Sequence, residues 1–209
     1  MVLVLWTIVT SLFAQDTGEF TFGFRGGILF GFHKAGSDLK NFISGEFDRY
    51  LTEESLFNPN IVAYGNYAVT DNIAIQGELN FMINQGMKFN AYGYTVEGTG
   101  ISLDIPVLLK YALVTDQARI GILAGPYLSF PLGKFKTSGY YTYEEESDGF
   151  SYGVTAGLFA GYPIGPGRFV GDLRFIFDLS PMKIKDYGYI MEVMERRGLA
   201  ITAGYEISF

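Results

Sequence analysis

His33 is the single histidine of the 209-residue chain, and it stands four and five positions before Ser37 and Asp38. A nucleophile, a base and an orienting carboxylate within hydrogen-bond reach could cleave or transfer an acyl group. One loop histidine beside a serine and an aspartate is a weak signature of that chemistry, so no residue is assigned as catalytic. A second cluster, Glu144, Glu145, Glu146 and Asp148, follows Tyr140, Tyr141 and Tyr143. Carboxylates at this density could hold a divalent cation or bridge cations on anionic glycolipid, although a charge run most often forms a solvated face. Lys183, Lys185, Arg196 and Arg197 could pair with lipid phosphates. The chain has no cysteine, which removes thiol catalysis, disulfides and Cys-based zinc sites. Metal-ligand spacing, phosphate loops and redox motifs are also missing, so neither a metal nor a cofactor is expected.

The remaining charges are spread along the chain, and what relates them is phase. Eight segments alternate with period two, near 20–30, 61–69, 73–84, 101–111, 119–130, 152–162, 169–179 and 198–209. Side chains of a strand point alternately to opposite faces, so each segment has one apolar and one mixed side. The apolar phase carries Phe20, Phe22 and Phe24 in the first segment, Leu103, Ile105, Val107 and Leu109 in the fourth, and Phe169, Leu173, Phe175 and Phe177 in the seventh. Every charge within the segments lies on the other phase: Arg25, Glu78, Asp104, Lys110, Arg119, Asp172, Arg174, Asp178 and Glu206. Random parity would give that outcome roughly once in five hundred trials, so the separation reflects a physical constraint. A lysine or arginine facing the bilayer midplane costs about 2–4 kcal/mol, which is the constraint expected of a sheet whose apolar face meets hydrocarbon.

The connections support the same reading. Short turns fall at 69–73, 112–118 and 163–168, the last carrying Gly165-Pro166-Gly167, and long loops cover about 31–60, 85–100, 131–151 and 180–197. Short turns alternating with long loops predict an all-β, eight-stranded antiparallel up-and-down transmembrane β-barrel, with the turns periplasmic and the loops extracellular. A hairpin at 183–194 would raise the count to ten, but its phase is poor. A soluble eight-stranded cup would turn its apolar phase inward, and eight strands do not enclose room for so many Phe and Leu side chains. The 27 Gly, 19 Phe and 15 Tyr suit tightly turned, aromatic-girdled strands. Inward Gly23, Gly27, Gly121, Gly125, Gly153, Gly157 and Gly161 would leave room beside Tyr127 and Phe159, and Pro106 and Pro126 predict a bulge or local edge. Residues 1–14 (MVLVLWTIVTSLFA) are an apolar run too short to span a bilayer, and read as a signal peptide ahead of a barrel domain at 15–209. No Lys or Arg precedes that run, which leaves open a start upstream of Met1.

Several stretches resemble the small outer-membrane β-barrel family known as porin-like or PorT-like, related in shape to the OmpA/OmpX-type barrels. Asn58–Gly86 is similar to the family's second-to-third strand hairpin, with Glu78-Leu79 near its end. Leu103–Tyr111 (LDIPVLLKY) is similar to the fourth strand, Gly125-Pro126-Tyr127 to the fifth, and Gly167–Leu179 to the seventh. Thr202, Gly204, Ile207 and the terminal Phe209 resemble the signal read by the barrel-assembly machinery. The resemblance implies an outer-membrane location in a Gram-negative-type cell and leaves the biochemical role open.

A lumen of eight strands is filled by side chains. Arg25, Glu78, Asp104, Lys110, Arg119, Asp172, Arg174 and Glu206 are therefore expected to form a salt-bridged polar network rather than a selective ring. The resulting expectation is a non-catalytic structural, surface-interaction or secretion/assembly-associated protein. A narrow pore for ions or small solutes is the alternative, and an outer-leaflet lipid-modifying enzyme resting on His33 the second. Expected partners are outer-membrane lipid including outer-leaflet glycolipid, the assembly machinery during insertion, and a surface or secretion partner through loops 31–60 and 131–151. The first of these loops could lay Phe42, Ile43, Phe47 and Leu51 on one face of a short helix across the barrel mouth. Nucleic acid is not expected, because the net charge is −7 and no basic stripe is present. The intact mass of membrane-extracted protein should place its N-terminus at Gln15; a chain that retains residues 1–14 would contradict the cleavage.

Overall fold

Alternating residues become paired strand throughout the computed structural model, which describes residues 17–32, 34–35, 52–54, 57–91, 94–114, 118–138, 142–186 and 189–208. In chain order the first strands are β1 (Phe20–Gly31), β2 (Lys34–Ala35), β3 (Thr52–Glu54), β4 (Phe57–Ala68) and β5 (Ile73–Ala91). They are followed by β6 (Tyr94–Val114), β7 (Arg119–Ser138), β8 (Thr142–Asp148) and β9 (Ser151–Ile164). The last are β10 (Gly167–Asp178), β11 (Met182–Asp186), β12 (Tyr189–Glu195) and β13 (Arg197–Ser208). Eight of them close a ring in the order β1, β4, β5, β6, β7, β9, β10, β13 and back to β1, every neighbour antiparallel. The seam between first and last strands runs in unbroken register from Thr21↔Ser208 to Gly31↔Gly198, so the ring presents no unpaired edge there.

The two faces of this wall separate as the sequence phase requires. Along β10 the odd positions Phe169, Leu173, Phe175 and Phe177 are outside or partly exposed, while Val170, Asp172, Arg174, Ile176 and Asp178 are buried. All nine in-strand charges are buried in the lumen, and Phe22, Ile61, Leu109, Ile122 and Leu158 are exposed on the exterior. Small residues make the lumen fit. A Cβ at Gly121 would come within 2.8 Å of the Phe159 ring, and one at Gly153 within 2.6 Å of Tyr127 Cζ. The β9–β10 turn needs Gly165 for another reason, its φ of 65°.

Strands β5, β6 and β7 run for 19, 21 and 20 residues. Only about 9–11 residues are needed to cross a bilayer, so these strands continue past the ring on the extracellular side. The segments expected as loops at 85–100, 131–151 and 180–197 are consequently largely paired ribbon. Strand β8 pairs β7, β11 pairs β8, β12 pairs β11, and the short β2 pairs β12. On the other flank β3 pairs β5. Beyond the hydrocarbon a strand no longer needs one apolar face, so the alternation fades while backbone pairing persists. The hairpin at 183–194 does form, but it joins β8 and β2 outside the ring, which stays at eight.

The prolines behave differently from expectation. Pairing lapses between Pro106↔Tyr127 and Leu109↔Ala124, yet resumes in the same register, so no residue is inserted there. Bulges occur instead between Thr99 and Ile101 and between Met82 and Gln85, toward the ribbon. Each proline removes one ladder donor, and well-paired neighbours on both sides hold the register across the gap. The helix expected from Phe42 to Leu51 lies outside the described residues, as does the segment 1–14.

Leu158 sits at mid-strand on the exterior, 57% exposed and opposite Leu173 and Ile122. Leu158→Arg should destabilise the barrel by about 2–4 kcal/mol in equilibrium urea unfolding from lipid vesicles; an unchanged midpoint would show that this face does not meet hydrocarbon.

Candidate functional site

Three layers of charge occupy the lumen. At mid-height, strands β1, β5 and β10 bring Arg25, Glu78, Asp172 and Arg174 together. Arg25 donates to both Glu78 and Asp172. Arg174 donates to Glu78 at 2.6 and 2.7 Å and to Asp172 at 2.9 Å. Each carboxylate therefore lies between two guanidiniums, and the four groups tie three strands across the lumen. Gln76 also donates to Glu78, and the Arg25 guanidinium lies 4.3 Å from the Tyr64 ring centroid. Ionised groups removed from water persist only when paired and hydrogen-bonded in this way.

Toward the extracellular end a single guanidinium holds two acids. Arg196 donates to Asp104 at 2.8 and 3.1 Å and to Asp178 at 3.2 Å, and its backbone N–H donates to Asp178 at 2.8 Å. Tyr127 donates its hydroxyl to Asp178, and Met82 Sδ lies 3.3 Å from Arg196. Around this layer Leu29, Met82, Tyr127, Ile176 and Ala200 form an apolar cluster, so the lumen is filled but not uniformly polar.

At the periplasmic end Arg168 donates to Glu206 at 2.8 Å, and Tyr64 donates to the same carboxylate at 3.0 Å. Lys110 donates to Gln76 Oε1 at 3.0 Å and stands 4.3 Å from the Phe159 centroid. Arg119 donates to the carbonyl of Asp71 in the β4–β5 turn at 2.9 Å. That turn is fixed by Thr70 Oγ1, which accepts from the backbone of Ile73 at 3.0 Å, and by Asn72, which donates to the carbonyl of Ala112 at 2.7 Å.

All eight lumenal residues named from the sequence are inside and buried. Only Arg25, Glu78, Asp172 and Arg174 form one constellation; Asp104 belongs to the extracellular layer, and Lys110, Arg119 and Glu206 to the periplasmic one. Two participants, Arg196 and Arg168, escape the sequence pattern because one falls in an expected loop and the other in an expected turn. Both keep the inward parity of their strands: Arg196 shares the phase of Ala200 and Thr202, and Arg168 that of Asp172 and Arg174. Extending the parity by two residues finds them. Arg196 is thus corrected from a lipid-phosphate partner to a buried lumenal cation. Arg197 pairs with Glu195 at 3.3 Å and lies over the Phe177 ring at 4.6 Å, whereas Lys185 stays exposed.

Of the assembly-signal residues, Thr202 faces the lumen and Ile207 the exterior. Gly204 packs against the backbone of β1, where a Cβ would come within 2.6 Å of Arg25 Cα. Phe209 lies outside the described residues, as do His33, Ser37 and Asp38. In the acidic run, Glu144 stands opposite Lys136, and Glu146 opposite Lys134 and Lys185, with 3.5 Å between Lys134 and Glu144. Among the described residues no group of His, Asp or Glu is placed to hold a metal ion.

A family model described as an outer membrane protein beta-barrel domain matches residues 13–183. Solved structures share the fold, two outer-membrane proteins among them. The outer membrane protein OprG from Pseudomonas aeruginosa superposes with a TM-score of 0.60 at 10% identity, covering 94% of this chain and 98% of that one. Neisserial surface protein A (NspA) gives 0.54 at 11% identity, covering 92% and 98%. No curated protein matches the sequence.

Removing one member of the central constellation leaves buried guanidiniums short of a counter-charge. Glu78→Ala should therefore cost about 3–5 kcal/mol in urea unfolding of the refolded barrel, while Glu144→Ala in the ribbon should change stability by less than about 1 kcal/mol. Equal effects would show that the lumenal pairing is not what stabilises the ring.

Proposed function

Because the chain belongs to the family of outer membrane proteins built on this β-barrel domain, it resides in the outer membrane of a Gram-negative-type cell, and we propose that it works there without catalysis. In this reading it is a plugged barrel that presents its extracellular ribbons as a structural, surface-interaction or secretion/assembly-associated platform. The single observation that carries the reading is the cross-lumen constellation of Arg25, Glu78, Asp172 and Arg174, which joins β1, β5 and β10 across the space a diffusing solute would need. A polar path kept open by water would not bring the four groups into direct contact from three strands.

The ribbons support the second half of the reading. They place Lys34, Lys134, Glu144, Glu146, Lys185 and Glu195 on exposed or half-buried positions beyond the ring, a mixed-sign surface suited to a protein or glycolipid partner. The segments 31–60 and 131–151 remain the proposed contact regions. Residues 1–14 would direct export, and the β13 residues Thr202, Gly204 and Ile207, with Phe209, would be read by the assembly machinery during insertion. A narrow ion path is the second reading, favoured by the buried charges that extend along the lumen from Arg196 to Arg119.

Planar-bilayer recording separates the two. The wild-type protein should be silent, and Glu78→Ala, which loosens the plug, should produce openings. Steady wild-type openings whose conductance changes with Arg25 or Glu78 substitution would overturn the platform reading in favour of the pore.

A further inference from the structure

Two ring strands, β4 and β9, carry no charged side chain, so the ion pairs that cross the lumen involve neither. Each instead turns a neutral polar group inward, Asn60 on β4 and Thr155 on β9, and Thr202 on β13 adds a third. All three residues are more than nine-tenths buried. Asn60 Oδ1, Thr155 Oγ1 and Thr202 Oγ1 have no hydrogen-bond partner among the described residues. The other side of the Asn60 amide is in use, donating to Asn80 at 3.0 Å. Glycines keep the three oxygens from being bridged by protein. Gly27 stands in register between Thr202 and Asn60, and Gly125 stands opposite Thr155. A buried oxygen in this position has given up its hydration without compensation.

Asn60, Thr155 and Thr202 line one cavity of about 20 Å³, whose wall also includes Asp104, Arg174 and Ile176. Every lining residue is buried. The volume admits water and nothing larger, and the polar groups on the wall distinguish it from the apolar cavities that stay dry. We propose that this cavity is a hydration site, in which ordered water bridges Asn60, Thr155 and Thr202 and so ties the two charge-free strands to β13. Water suits the three partners chemically. It donates to the amide oxygen, which can only accept, and it can donate to or accept from each hydroxyl. Arg174 belongs to the central layer and Asp104 to the extracellular one, so the water lies where those two layers meet.

Two measurements on the refolded barrel test the site. A crystal structure fine enough to place solvent should show water within about 2.7–3.2 Å of the three oxygens. A cavity without solvent density, or with solvent that touches none of the three, would overturn the proposal. Thr155→Val and Thr202→Val keep the side-chain shape and the strand preference and remove the hydroxyl. With water in place each variant loses a hydrogen bond, so both should unfold at a lower urea concentration than the wild type. A hydroxyl buried without a partner would behave oppositely, because its removal relieves an uncompensated burial. A raised or unchanged midpoint in either variant would therefore also overturn the site. Neither measurement involves conductance or a surface partner, so failure here leaves the plugged-platform reading untouched.

Discussion

Charge cannot face the hydrocarbon, and in a closed eight-stranded wall the only other place for it is the lumen. The rest of this structure follows from that exclusion. Because the side-chain period of a strand is two, sending Arg25, Glu78 or Arg174 inward commits the whole of β1, β5 or β10 to one register. A slip by one residue would turn every charge of that strand outward. Once inside, the charges must neutralise one another, which sets the distances and partners of the central constellation. The same pairs that make ionised groups tolerable also cross-link strands that are remote in sequence.

Filling the lumen is as much a problem of volume as of charge. Leu29, Met82, Tyr127 and Ile176 occupy the space around the Arg196 layer, and Gly121 and Gly153 recede where Phe159 and Tyr127 need room. Apolar side chains therefore fill the space around the charged groups, and Gln76, which donates to Glu78 and accepts from Lys110, links the central layer to the periplasmic one. The outcome is a wall held from within, which leaves the extracellular ribbons free to vary in sequence without threatening the ring.

Parity alone makes the ring legible in the amino-acid sequence. Nine charges on one phase, apolar residues on the other and turns of two alternating lengths fix strand number, orientation of each face and topology. The ribbons are not legible, because period-two contrast comes from the bilayer and strands beyond it need no apolar face; 85–100 and 131–151 read as loops for that reason. Arg196 and Arg168 are lost at strand ends, where a boundary drawn two residues short hides an inward side chain. The pairing of partners within the lumen is also beyond the sequence. Inward phase says that Glu78 must be paired, but only the stagger of β1 against β4 and of β4 against β5 on one side, and of β1 against β13 and β13 against β10 on the other, decides that it meets Arg25 and Arg174 rather than Lys110.

Everything depends on which face of each strand meets lipid. Nitroxide labels placed singly at residues 169–178 of β10 would report this through their collision rates with oxygen, which concentrates in lipid, and with a water-soluble nickel chelate. Oxygen access should peak at 169, 171, 173, 175 and 177, with the intervening positions shielded from both agents. Uniform access to the nickel chelate, or oxygen maxima on the even positions, would contradict a lipid-facing odd phase.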